Sequence, residues 1–179
     1  VFLTLGDVKL AGTASFAVVK RTVTADIDGA GNGALLTNAN LLSVALQVSG
    51  IGVHVGNVAH LTVSGKLALA SLTPSVADGR SWTALKMGDV VVSGDVNLGL
   101  DGLSAQITVH TLDVNRFAGA GATPLDWTSA FDLDGDGTKD ALDPGLELPE
   151  PLSMPIDFRA DLELRITGTF TGTGSYSYD

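Results

Sequence analysis

Apolar and polar positions alternate with a period of two along much of this chain. Val8-Lys9-Leu10-Ala11-Gly12-Thr13-Ala14-Ser15-Phe16 alternates large with polar or small residues. So do Leu61–Leu69, Val90–Leu98 and Leu162–Phe170. Runs of this length and period predict β-strands with one face toward a core and the other toward water. Each run carries a glycine, at 12, 65, 94 and 168, with apolar residues two and four positions before it and two after. Glycine weakens a strand interior, so its recurrence at one phase predicts a bulge, a bend or close backbone approach. The spacings between these glycines, 53, 29 and 74, are too unequal for a short-period solenoid.

Further strands are expected near 18–27, 41–48, 51–58, 82–87, 104–114 and 173–178. Turns are expected at Asp28-Gly29, Ser49-Gly50, Asp78-Gly79 and Asp101-Gly102. Residues 34–46 have enough leucine for a short helix, but their pattern favours strand. Pro144, Pro149, Pro151 and Pro155 make 144–157 an extended connector. The expected architecture is all-β: one antiparallel β-sandwich-like unit over 1–179, with a β-solenoid or β-roll as the alternative.

Composition agrees with thin sheets and many turns. Only 6% of residues are aromatic, and 22 of the 179 are glycine. No run approaches eighteen apolar residues, so no spanning helix and no membrane insertion are expected. The absence of cysteine excludes a disulfide framework, a thiolate metal site and a cysteine nucleophile. The chain starts Val-Phe-Leu-Thr without a signal peptide, and so reads as a mature product or a piece of a longer chain. The formal net charge is −10, and residues 131–150 hold seven acids and one lysine, hence −6 of it. Concentrated acid points to a cation site, and the lack of clustered Lys and Arg argues against nucleic acid.

The acidic segment has a specific order. Residues 132–143 read Asp-Leu-Asp-Gly-Asp-Gly-Thr-Lys-Asp-Ala-Leu-Asp. Asp132, Asp134, Asp136, Asp140 and Asp143 fall at positions 1, 3, 5, 9 and 12 of a calcium loop, with Gly137 at the sharp turn and the Thr138 carbonyl at position 7. Position 12 is usually a bidentate Glu. The shorter Asp143 implies tighter closure or a retained water. Pro144 and Gly145 stop any exiting helix, so a structural ion in a loop inserted at 131–145 is expected, not an EF-hand sensor. A weaker turn, Asp26-Ile27-Asp28-Gly29-Ala30-Gly31, matches positions 1, 3 and 6 but has Ala30 at 5 and Thr37 at 12.

Other chemistry is sparse. His54, His60 and His110 are dispersed and lack the companions of a zinc site. No nucleophile elbow occurs, and Glu147, Glu150 and Asp157 sit in the proline-rich connector, where solvation or support of the ion explains them better than glycoside hydrolysis. The residues therefore point to no enzyme. Trp82, Trp127, Tyr176 and Tyr178 offer core packing or glycan stacking. Both ends alternate strongly, and joined end to end they continue as strand. This predicts strand addition between copies or adjacent repeats through 1–19 and 161–178.

The block Thr123–Phe158, with its Asp-Trp-Thr, Asp-Leu-Asp-Gly-Asp-Gly and Asp-Pro-Gly elements, resembles the repeat unit of giant secreted bacterial RTX- and adhesin-like proteins. The strands Leu164–Gly172 and Val8–Phe16 are similar to the strand that accompanies this block there, although the nonapeptide ladder of RTX rolls is absent. The resemblance implies an extracellular or cell-surface, calcium-loaded tandem β-repeat with Asp132, Asp134, Asp136, Asp140 and Asp143 at the ion. Its implied role is a filament, sheath or adhesin stalk. The alternative from another class is a calcium-dependent carbohydrate-binding module with Trp127 beside the ion.

Overall fold

A computed structural model describes residues 2–5, 8–28, 34–55, 59–96 and 104–173. Seven strands form one antiparallel up-and-down sheet in chain order: β1 (Phe2–Leu5), β2 (Val8–Asp26), β3 (Leu35–Val55), β4 (Ala59–Thr73), β5 (Ser81–Val96), β6 (Ser104–Ala118) and β7 (Leu164–Thr173). The leucine-rich 35–46 region is strand. The 21 residues of β3 reach about 70 Å at roughly 3.3 Å per residue. The Asp78-Gly79 turn joins β4 to β5, with Gly79 at φ +87° and the Arg80 N–H donating to Asp78 Oδ1 at 2.9 Å. Gly29, Asp101, Gly102, Tyr176 and Tyr178 lie outside the described residues.

The all-β, antiparallel expectation holds, and the layer facing this sheet is the β6–β7 connection, residues 119–163. It covers the lower half of one face. There the sheet presents small side chains, with Ala39, Ala45, Ala68, Ala70 and Ala84 all buried. The cover fills the space above them with Leu125, Trp127, Phe131, Ile156 and Phe158, and all of these join one buried cluster. Alanine lets a second backbone approach closely while the cover provides the apolar volume. Polar contacts with several strands help to fix its position. Arg21 bonds Glu147 at 2.5 Å, Lys86 Nζ donates to Pro155 O at 3.0 Å and to Asp157 at 2.9 Å, and Trp82 Nε1 donates to Thr123 O at 2.8 Å. Buried Asp113 pairs with Arg165 through Oδ2 alone.

The opposite face has no cover among the described residues. Cross-strand register lines up Val18, Val44, Leu69, Leu85, Val114 and Leu164, and beside them Phe16, Leu46, Leu67, Met87, Leu112 and Ile166. The alternation therefore sorted residues into faces correctly, but most of the larger aliphatic side chains lie on the open side, with Leu36, Leu41 and Leu72 under the cover. The alanines, with Asp113 and Asn115, lie under the cover.

A line of irregularities crosses the sheet at mid-height. β3 carries one extra residue at Ser49-Gly50 relative to each neighbour, so this pair forms a bulge within a strand where the sequence predicts a turn. β5 has its extra residue at Asp89 (φ +51°), and β6 at His110. Gly12, Gly65 and Gly168 stand on the unbulged strands beside them. A Cβ on Gly12 would meet Ile51 Cα at 2.6 Å, and one on Gly168 would meet Thr108 O at 2.7 Å. Close approach is thus the reason for these recurring glycines. The bulges restore the two-residue phase, so the apolar face continues past the line through Ile51, Val63, Val92, Ile107 and Phe170. Beyond the cover, the other face is polar, with Thr62, Ser93, Gln106 and Thr171 in register.

Candidate metal centre

The acidic loop grows out of the buried cover. Phe131 is fully buried, forms an antiparallel bridge with Ala25 on β2, and accepts the Asp140 N–H at 2.8 Å. The neighbouring Ala130 carbonyl accepts the Asp26 N–H at 2.9 Å. One wall of the loop is therefore fixed to the edge of the sheet, and the base is closed by Asp140.

Within the loop, short acids organise the backbone around themselves. Asp132 accepts Gly135 N–H at 2.7 Å and Gly137 N–H at 3.0 Å through its two oxygens. Asp134 accepts Asp136 N–H at 3.0 Å. Asp136 accepts both the N–H (2.7 Å) and the hydroxyl (2.5 Å) of Thr138. Gly135 and Gly137 take φ of +81° and +90°, which glycine adopts without steric cost. These turns bring a carboxylate oxygen from each of Asp132, Asp134 and Asp136 within 4.8 Å of one another, a group that could hold a metal ion. Asp132 is half-buried and the other two are exposed. None of the ion pairs among the described residues involves these three acids. The donors are all hard oxygens, the chemistry that suits calcium or magnesium over softer cations. The Thr138 hydroxyl, and then its backbone N–H, hold the Asp136 carboxyl below its ordinary value of 3.8 and keep it charged.

The other residues of the predicted set lie elsewhere. Asp140 Oδ2 accepts from the N–H groups of Leu133 (2.5 Å) and Asp134 (3.4 Å), which makes it a brace of the loop. Asp143 turns toward the connector and accepts from Gly145 N–H (3.0 Å), Met154 N–H (2.9 Å) and the Ser153 hydroxyl (3.2 Å). It caps the 3-10 turn Pro144–Glu147. A side chain one carbon shorter than Glu, with these donors close by, is spent on them. The connector is thereby folded back, with Leu142 bridging Ile156. In the second turn, Asp26 is buried and accepts Asp28 N–H at 3.4 Å, while Asp28 accepts Ala34 N–H at 3.1 Å. Neither belongs to the three-carboxylate group.

Trp127 is fully buried. Its Nε1 donates to Asn115 Oδ1 at 2.9 Å, so its ring has no face free for a sugar. Asn115 is the residue that sequence reasoning missed. Its Nδ2 also donates to Leu125 O (2.9 Å) and Arg159 O (3.1 Å), joining both arms of the cover to β6. The available signal was a pair of polar residues, Asp113 and Asn115, alternating with Leu112 and Val114, which reads as a wet face. His110 Nε2 lies 3.4 Å from the Thr169 hydroxyl on an exposed part of the sheet.

Comparison with protein-family models, with curated proteins and with solved structures returns no match.

Proposed function

We propose that this chain is an extracellular, calcium-stabilised structural unit that joins end to end with copies of itself or with adjacent repeats, as a filament, sheath or adhesin stalk requires. The observation that carries the reading is the convergence of Asp132, Asp134 and Asp136 on a loop rooted in the buried cover. An ion there neutralises three crowded carboxylates and holds the 131–145 segment closed, which in turn holds the cover on the sheet. Support for joining comes from the edges. β2 beyond its short pairing with β1 lies at one side of the sheet, and β7 at the other. Both offer backbone groups for strand addition. By strand count β7 runs opposite to β2, so edge pairing between successive units continues the antiparallel order.

Calorimetric titration with calcium and with magnesium tests the ion. The reading expects saturable calcium binding that Asp132→Ala abolishes, together with a chelator-reversible gain in thermal stability. A flat titration at millimolar calcium removes it. The alternative, a calcium-dependent carbohydrate-binding module, would need a stacking residue other than Trp127.

A further inference from the structure

The open aliphatic face has the composition of a core and, among the described residues, no layer on it. Four rows contain no charged residue: the Val18–Leu164 and Phe16–Ile166 rows across six strands, a row through Ala14, Val48, Val90 and Val109 that also holds Gly65 and Gly168, and the Ile51–Phe170 row across five. Phe16, Ile166 and Phe170 are 69%, 63% and 70% exposed. At the bulges, Asp89 turns away to pair with Lys66 and His110 turns toward Thr169, so these polar residues leave the face clean. The next row toward the covered end holds Lys20, Leu42, Ser71, Thr83 and Arg116, a mostly polar rim beside an apolar centre. That is the anatomy of an interface.

We propose that this face packs against the same face of a second copy of the chain, forming a two-sheet sandwich across a twofold axis. Area is the first argument. Six strands about 4.8 Å apart and four rows about 6.8 Å apart enclose roughly 750 Å², close to the roughly 800 Å² per partner of a stable interface. Charge is the second. For a chain with a net charge of −10, a surface without charge is the one on which self-association meets least repulsion. The acidic 131–150 segment lies on the opposite side of the sheet, under which the apolar face is turned away. Face-to-face packing puts the two acidic segments on the two outer sides, two sheets and about 10 Å of shared core apart. The pairing is isologous and closes at two copies. It uses the face, whereas end-to-end joining uses the edges, so it stands independently of the proposed function.

Sedimentation velocity of the calcium-loaded chain from 1 to 200 µM tests this. A face-to-face dimer is expected, either alone or as the subunit from which any edge-joined ladder is built. Ile107→Lys with Ile166→Lys should weaken it at least 100-fold while the fluorescence of Trp82 and Trp127, buried on the other side, stays unchanged. A Met87→Cys variant of this cysteine-free chain should react with maleimide in the monomer and be protected in the dimer. A monomer at 200 µM overturns the proposal, as does an open ladder of oligomers insensitive to the lysine variants, which would assign association to the edges. Flotation of the monomer with neutral phosphatidylcholine vesicles, with Met87→Cys protected only there, would assign the face to lipid and overturn it as well.

Discussion

Replacing Asn115 with alanine should cost more stability than any other single polar truncation in the covered half. The amide makes three hydrogen bonds, to Leu125 O, to Arg159 O and from Trp127 Nε1. Alanine removes all three and leaves their partners in place. The indole N–H and the Leu125 carbonyl are in buried surroundings, and each unsatisfied buried group costs about 1–3 kcal/mol. The Arg159 carbonyl is only partly buried and can turn to water. The sum is about 2–6 kcal/mol, a large share of the roughly 5–15 kcal/mol of a typical domain. Both tryptophans are buried where the cover meets the sheet, Trp82 on β5 and Trp127 in the cover, so equilibrium urea unfolding followed by tryptophan fluorescence reads this region directly. The expected result is a lower midpoint with an unchanged slope. A loss under about 1 kcal/mol would refute the idea that this amide fastens the cover.

Other substitutions test separate parts of the account. Gly168→Val places a Cβ 2.7 Å from Thr108 O and should destabilise by about 1–3 kcal/mol, as overpacking does, whereas Gly121→Ala, with open space around its Cβ position, should cost only its positive φ; thermal melts compare the two. Arg165→Ala strands the buried Asp113 carboxylate. Losing a buried partner costs about 3–5 kcal/mol, but Arg165 is 54% exposed, so screening should reduce this to about 1–3 kcal/mol, measured by urea unfolding. The Asp78 carboxyl is held below its ordinary 3.8 by the Arg80 side-chain hydrogen bond and then by the Arg80 N–H. Its contribution should therefore be present above pH 3.8 and lost as pH falls through the lower folded value, and carboxyl NMR should show Arg80→Ala returning it toward 3.8.

Much of this architecture was legible because β-structure has a short period. Alternation around Gly12, Gly65 and Gly168 identified the strands, and the recurring glycines marked close approach as one of three readings, beside a bulge and a bend. Periodicity could not say which face would be covered. That depended on a cover assembled from Trp127, Phe131 and Phe158, residues far in sequence from the alanines they bury. Nor could it separate the Ser49-Gly50 bulge from a turn, because both use the same residues. In the acidic loop, spacing correctly gathered Asp132, Asp134 and Asp136, which are held by local turns. It could not foresee that the N–H groups of Gly145 and Met154 would take the Asp143 carboxylate, because Met154 reaches it only after the connector folds back.

The central claim is that calcium at the 132–136 carboxylates holds the cover closed and makes the unit competent to assemble. Particle size and far-UV circular dichroism of the purified chain, first in calcium and then after EGTA, test it most directly. The account predicts order and assembly in calcium, both reversed by chelator. A chain that keeps the same fold and the same size in both buffers would contradict it.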